Sequence, residues 1–101
     1  MEFEIKDHDV HHEVFLRGHL TFEGNENFRH IVKKFEHSSH REIIIDINEL
    51  KFMDSAGLGM LLLLGDCAKS KGGKMKLRKP KGQVERLLTS CQFDRLLSVE
   101  Y

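Results

Sequence analysis

Lys51–Leu64 reads K-F-M-D-S-A-G-L-G-M-L-L-L-L. A largely apolar strand candidate, Ile43, Ile44, Ile45 and Ile47, stands ahead of it, as expected of a central strand in a sheet that helices cover. Behind the glycines, Leu58 and Met60 to Leu64 are apolar on nearly every side of a helix, which predicts a deeply packed segment from about Ala56 to Ser70. Gly57 and Gly59 permit a tight turn and a close helix–sheet approach between the two. One hydroxyl, Ser55, sits at this junction beside Asp54. It falls at or next to a helix first turn, where backbone N–H groups lack partners and the dipole is positive.

Outward from this unit the chain alternates strands and helices. Residues 2–7 alternate around Phe3 and Ile5, Asp7 to His11 read as a turn, and Glu13–Leu20 reads as an antiparallel partner strand with Gly18 as a candidate bulge. Phe28, Ile31, Val32 and Phe35 mark one face of a helix. Asn25 or Asn27 is its candidate cap, and the polar cluster His37 to Arg41 ends it. A strand is expected over 42–47. After the long helix, Gly72 and Gly73 form a stop, and Lys74–Lys79 alternates around Met75 and Leu77. Pro80 and Gly82 break the chain, Val84, Leu87, Leu88 and Cys91 mark a last helix, and Leu96–Tyr101 closes as a short strand. The order is β-β-α-β-α-β-α-β. Single helices between strands imply right-handed crossovers and a parallel sheet with one antiparallel edge.

A chain of 101 residues fits one domain, 1–101. Sixteen basic and sixteen acidic residues give zero net charge, which argues against a dedicated nucleic-acid binder. Seven cations from Lys69 to Lys81 have no acid among them. They also lack interleaved aromatics for base stacking, so they read as a solvated strand edge, where lysines block strand addition. Cys67 and Cys91 match no metal or redox spacing and are expected as small core hydrophobes in a reducing compartment. The N-terminus lacks a signal-peptide pattern and the apolar run after Ser55 is too short to span a bilayer. A cytoplasmic protein without direct membrane insertion is the expectation.

Enzyme patterns are poorly matched. A nucleophile elbow needs glycine two residues before the serine, where Met53 stands. A dinucleotide fingerprint would need glycine at Leu62, and no Walker-type Gly-Lys-Ser/Thr occurs. His8, His11 and His12 lack the framework of a zinc site and read as a solvated turn. No cofactor, metal or catalytic residue is expected. Ser55 has two readings from its residues alone, a helix cap or the acceptor of a phosphoryl group. Asp54 as a second capping anion, flat glycine surface and the absence of a hydroxyl at Ala56 favour the second.

Met53-Asp54-Ser55-Ala56-Gly57-Leu58-Gly59, preceded by Ile43-Ile44-Ile45-Asp46 and Leu50, closely resembles the STAS family, named for sulfate transporters and anti-sigma factor antagonists. Gly18-His19-Leu20 and the Gly72-Gly73-Lys74 turn extend the match over nearly the whole chain. The resemblance implies a single α/β domain, a mixed sheet with helices mainly on one face. It implies that Ser55 is the phosphoacceptor of a partner serine kinase of anti-sigma type and that a PP2C-type phosphatase reverses the modification. The unphosphorylated form would bind and the phosphorylated form release, with Met53 to Gly59 and Thr21 forming the switch surface. The output would be sigma-factor control or a process such as biofilm or motility regulation. Where many members carry an acid after the second strand, this chain has Thr21. Relatives usually continue past the position of Tyr101 into a last helix; its expected absence here would expose an apolar patch to a partner or to weak homodimerisation. The competing reading implied by the family is a constitutive subunit of a lipid or anion transport complex.

Overall fold

β1 (Glu2–Asp7) and β2 (His11–Leu20) form an antiparallel hairpin, and β3 (Glu42–Met53), β4 (Lys74–Arg78) and β5 (Ser98–Glu100) add beside β2 in parallel. Strand order in the sheet therefore equals chain order. This computed structural model describes residues 1–93 and 97–101. A 3₁₀ turn (Phe22–Gly24) and α1 (Asn25–His37) link β2 to β3, α2 (Ser55–Ser70) links β3 to β4, and α3 (Gly82–Ser90) precedes β5. Right-handed crossovers that all advance in one direction place the helices on one face.

The register shows that face. His12, Ile43 and Met75 lie side by side, as do Val14, Ile45 and Leu77, and all six are buried. Phe28, Ile31 and Phe35 from α1, Leu61 and Leu64 from α2, and Val84 and Leu88 from α3 complete the core. The opposite face is polar. Arg78 bridges Glu13 and Asp46 there, its Nη2 lying 2.5 Å from one carboxylate and 3.0 Å from the other. Phe15 stands among the cations of Lys6, Arg17 and Arg78.

The structure departs from the sequence reading at several points. β3 continues to Met53 instead of ending at 47. Two register irregularities against β2, at Phe15/Arg17 and Gly18/His19, break the alternation, so Ile47, Leu50 and Met53 are buried at every third position. β4 is an interior strand, because β5 pairs along its outer side. Two of its three cations are engaged: Lys76 with Glu100, and Arg78 with Glu13 and Asp46. Lys71, just past α2, donates to the carbonyls of Phe35 and Ser38 at the end of α1.

His12 is no turn residue. It is 3 % exposed on β2, with Nδ1 2.5 Å from Asp7 Oδ1 and its ring against Phe35 and His40. Neither asparagine caps α1: Gly24 holds that position, Asn25 is the first helical residue, and Asn27 Nδ2 donates to the Met1 carbonyl. α2 is not buried all round, since Leu63 is 59 % exposed. Cys91 is exposed just past α3 and Cys67 is half-buried, its thiol pKa pushed up by burial. Of the strand expected over Leu96–Tyr101, Ser98–Glu100 is observed, and residue 96 lies outside the described residues.

Candidate functional site

At the end of β3 the chain turns into α2 within one residue. Asp54 is extended (φ −100°, ψ −177°) and serves as the cap: its Oδ1 accepts from the Gly57 N–H at 2.8 Å, and its carbonyl accepts from the Leu58 N–H. Its own N–H donates to the Leu20 carbonyl at 3.3 Å, tying the turn to the end of β2. Ser55 is therefore the first helical residue, exposed, and the capping duty belongs to its neighbour. The free N–H groups and positive dipole of this turn favour negative charge beside it.

Gly57 fixes how closely the helix start approaches the sheet. A Cβ there would lie 2.2 Å from the Leu20 carbonyl oxygen and 2.9 Å from Met53 Cγ. Gly59 is different: a Cβ there would meet nothing within 4 Å, and the residue is exposed one turn below Ser55. Ser55, Gly59 and Leu63 follow at i, i+4 and i+8, an exposed stripe along α2. Leu58 and Met60 point into the core and pack there.

The structure thus brings Met53, Asp54, Ser55, Ala56, Gly57 and Gly59 together at one sheet end. Thr21 joins them, since it follows Leu20, whose carbonyl receives the Asp54 N–H. An open cleft next to this turn is lined by Gly18, His19, Thr21, Glu23, Asn27 and Phe52. Phe52 stacks edge-on with His19, and Phe22 on the 3₁₀ turn is 72 % exposed. These aromatics were not singled out by the sequence. Nor was Gln83, whose carboxamide grips the Met53 backbone from the α3 side: Nε2 donates to the Met53 carbonyl and Oε1 accepts from its N–H, both at 2.9 Å.

Other candidate chemistry lies elsewhere. His8, His11, His12 and His40 gather where the parallel strands begin, whereas Ser55 follows the end of β3. Eight residue steps along β2 take the chain from His12 to Leu20, roughly 26 Å of extended strand. Burial holds the His12 imidazole below its ordinary range, opposed by its bond to Asp7. Among the described residues no group of three or more His, Cys, Asp or Glu side chains is placed to hold a metal ion. Nor is any described helix long and apolar enough to cross a membrane.

Comparison with known proteins agrees with this architecture. A STAS-domain containing protein from Pseudomonas aeruginosa (strain UCBPP-PA14) is 26% identical over 86 residues, 85% of this chain and 84% of that one. A Thermotoga maritima protein, provisionally described as an anti-sigma factor antagonist, superposes with a TM-score of 0.89 at 22% identity, over 98% of this chain and 86% of its own. The anti-sigma factor antagonist SpoIIAA superposes in its unphosphorylated form with a TM-score of 0.78 at 19% identity, over 99% of this chain and 89% of its own. Its phosphorylated form, from Bacillus, gives 0.76. The family model of the STAS domain matches residues 2–100, nearly the full chain. The chain belongs to the STAS domain family.

Proposed function

We propose that this protein is a non-enzymatic binding module whose partner interaction is switched off by phosphorylation of Ser55. The observation that carries the reading is the division of labour at the head of α2: Asp54 caps the helix, leaving the Ser55 hydroxyl exposed at the positive helix end. A phosphoserine there adds roughly −1.5 to −2 charges at neutral pH. The helix terminus tolerates that charge, so the domain keeps its shape. The likeness to both the unphosphorylated and the phosphorylated form of SpoIIAA supports this.

A partner surface fitted to a neutral hydroxyl would instead face an unpaired dianion. A penalty of about 3 kcal/mol would weaken binding more than a hundredfold. The partner is a serine kinase of anti-sigma type, a PP2C-type phosphatase restores binding, and the exchange takes place in the cytoplasm. The output is sigma-factor control or a process such as biofilm or motility regulation. Asp54, Ala56, Gly59 and Thr21 form the surface around the hydroxyl, and the buried Met53, Gly57 and Leu58 set the backbone beneath it.

The test compares Ser55→Asp and Ser55→Ala in pull-downs from the source cells, with mass spectrometry of Ser55 in the native chain. The native chain carries phosphate on Ser55, Ser55→Asp folds and loses its partner, and Ser55→Ala retains it whatever the kinase activity. Partner binding by Ser55→Asp at native strength would sink the switch and leave the constitutive-subunit reading standing.

A further inference from the structure

β3 overhangs β4. The last residue of β3 paired with β4 is Asp46, opposite Arg78, so seven further residues, 47–53, have no strand on that side among the described residues. On the other side β3 keeps its partner to the end, with Leu20 opposite Met53. In a parallel ladder one residue turns its N–H and C=O to one neighbour and the next residue turns to the other. Asp54 follows this rule and donates to β2 through Leu20. Met53 therefore turns its two polar groups toward the side where β4 is missing. There the Gln83 carboxamide supplies both a donor and an acceptor.

A primary carboxamide is chemically a peptide group on a tether, and here it completes a strand rung that no strand provides. Met53 is 0 % exposed, so without Gln83 its N–H and C=O would be buried and unpaired. Gln83 stands in the first turn of α3, after Gly82 at φ +55°. The phosphoacceptor turn is thus held from two directions, by Leu20 on β2 and by Gln83 on α3.

We infer that Gln83 is a positioning residue for Ser55: its side chain substitutes for a strand rung at Met53 and fixes the backbone that presents the hydroxyl two residues later. The inference rests on the proposed role of Ser55 as phosphoacceptor. Ordering the turn beforehand removes an entropic cost when a kinase engages it. Gln83→Glu is the sharp probe, because it keeps size and the acceptor while setting a carboxylate against the Met53 carbonyl. Gln83→Met removes both hydrogen bonds at similar volume.

The experiment measures amide hydrogen exchange at Met53 and Asp54 in purified native chain and both variants, with thermal melts as the folding control. It also measures the phosphate gained at Ser55 during a short ³²P-orthophosphate pulse in the source cells. Both variants remain folded; in Gln83→Met exchange at Met53 rises about tenfold or more and the pulse-labelled phosphate on Ser55 falls by a similar factor, whereas Gln83→Glu, which keeps the acceptor for the Met53 N–H, raises Met53 exchange less. A role confined to packing α3 would change neither the Met53 amide selectively nor the labelling. Equal Met53 exchange in the native and Gln83→Met chains overturns the inference, as does undiminished labelling of a variant whose turn has loosened. If Ser55 in the native chain gains no phosphate at all, the switch reading and the positioning role fall together, while unequal Met53 exchange would still establish the rung.

Discussion

Alanine at Gly57 and alanine at Gly59 are the same chemical change two residues apart on one helix, yet the structure assigns them opposite signs. At Gly57 the new methyl would sit 2.2 Å from the Leu20 carbonyl oxygen and 3.0 Å from its carbon. Those atoms are backbone at the end of a paired strand and cannot swing aside, so the head of α2 must lift. Lifting stretches the Asp54 N–H bond to Leu20, now 3.3 Å, and disturbs the cap on Gly57. Overpacking costs about 1–3 kcal/mol and a lost hydrogen bond about 1, offset by about 1 from the better helix propensity of alanine. The net is a destabilisation of about 2 kcal/mol.

At Gly59 the methyl meets nothing within 4 Å, and only propensity remains. The gain is about 1 kcal/mol. In a domain of this size each kcal/mol moves the melting temperature by roughly 4–8 °C, so Gly57→Ala melts roughly 10 °C lower and Gly59→Ala roughly 5 °C higher. Circular dichroism melts and urea midpoints of the purified variants read both. Gly57→Ala melting at or above the native chain would refute the close approach of α2 to β2. The pair also separates stability from recognition. Gly59→Ala adds bulk on the exposed stripe one turn from Ser55, so a stabilised chain loses partner affinity in the pull-down of the proposed switch.

Two further outcomes follow from the charged groups. Burial holds His12 below its ordinary value of 6.5, so as pH falls the unfolded chain binds a proton that the folded chain refuses, and stability declines below pH 6.5. Hydrogen bonds from Arg78 and His8 hold Glu13 below its ordinary 4.5, and the bond to His12 lowers Asp7, so the decline continues below pH 4.5. Urea midpoints from pH 7.5 down to 4 check this, and a flat or rising profile contradicts it. Arg78→Met leaves Glu13 and Asp46 as neighbouring carboxylates without their bridge and destabilises the fold by about 1–3 kcal/mol at neutral pH. In the same titration Glu13 regains a more ordinary pKa, so the variant loses less stability than the native chain between pH 5 and 4.

The strand–turn–helix unit is legible in the sequence because its signals are local. Ile43, Ile44, Ile45 and Ile47 form a dense apolar cluster broken only by Asp46, and the Asp54–Gly59 segment carries cap, hydroxyl and glycines in fixed order. The second half of β3 is illegible because bulges opposite Phe15 and Gly18 shift the pleat, and the apolar residues recur every third position. His12 reads wrongly as a turn residue because its alternation with Val14 and Leu16 belongs to the core face, and an imidazole at a core position gives no apolar signal. Whether Asp54 or Ser55 caps α2 is a choice made by backbone geometry at a single position, which residue types alone do not decide. Gln83 is invisible for a different reason. Its partner is the backbone of a residue thirty positions away, and no spacing in a sequence announces a side chain that bonds to main chain at that range.

The chain-order arrangement of the sheet has a consequence for synthesis on the ribosome. Each strand emerging from the exit tunnel finds its only earlier neighbour already made, so every pairing closes a loop no longer than one helix and its turns. Such stepwise closure lets the sheet grow vectorially, one strand at a time. It also orders the weak points: β5, three residues long and last to arrive, is the strand whose detachment would bare the flank of β4.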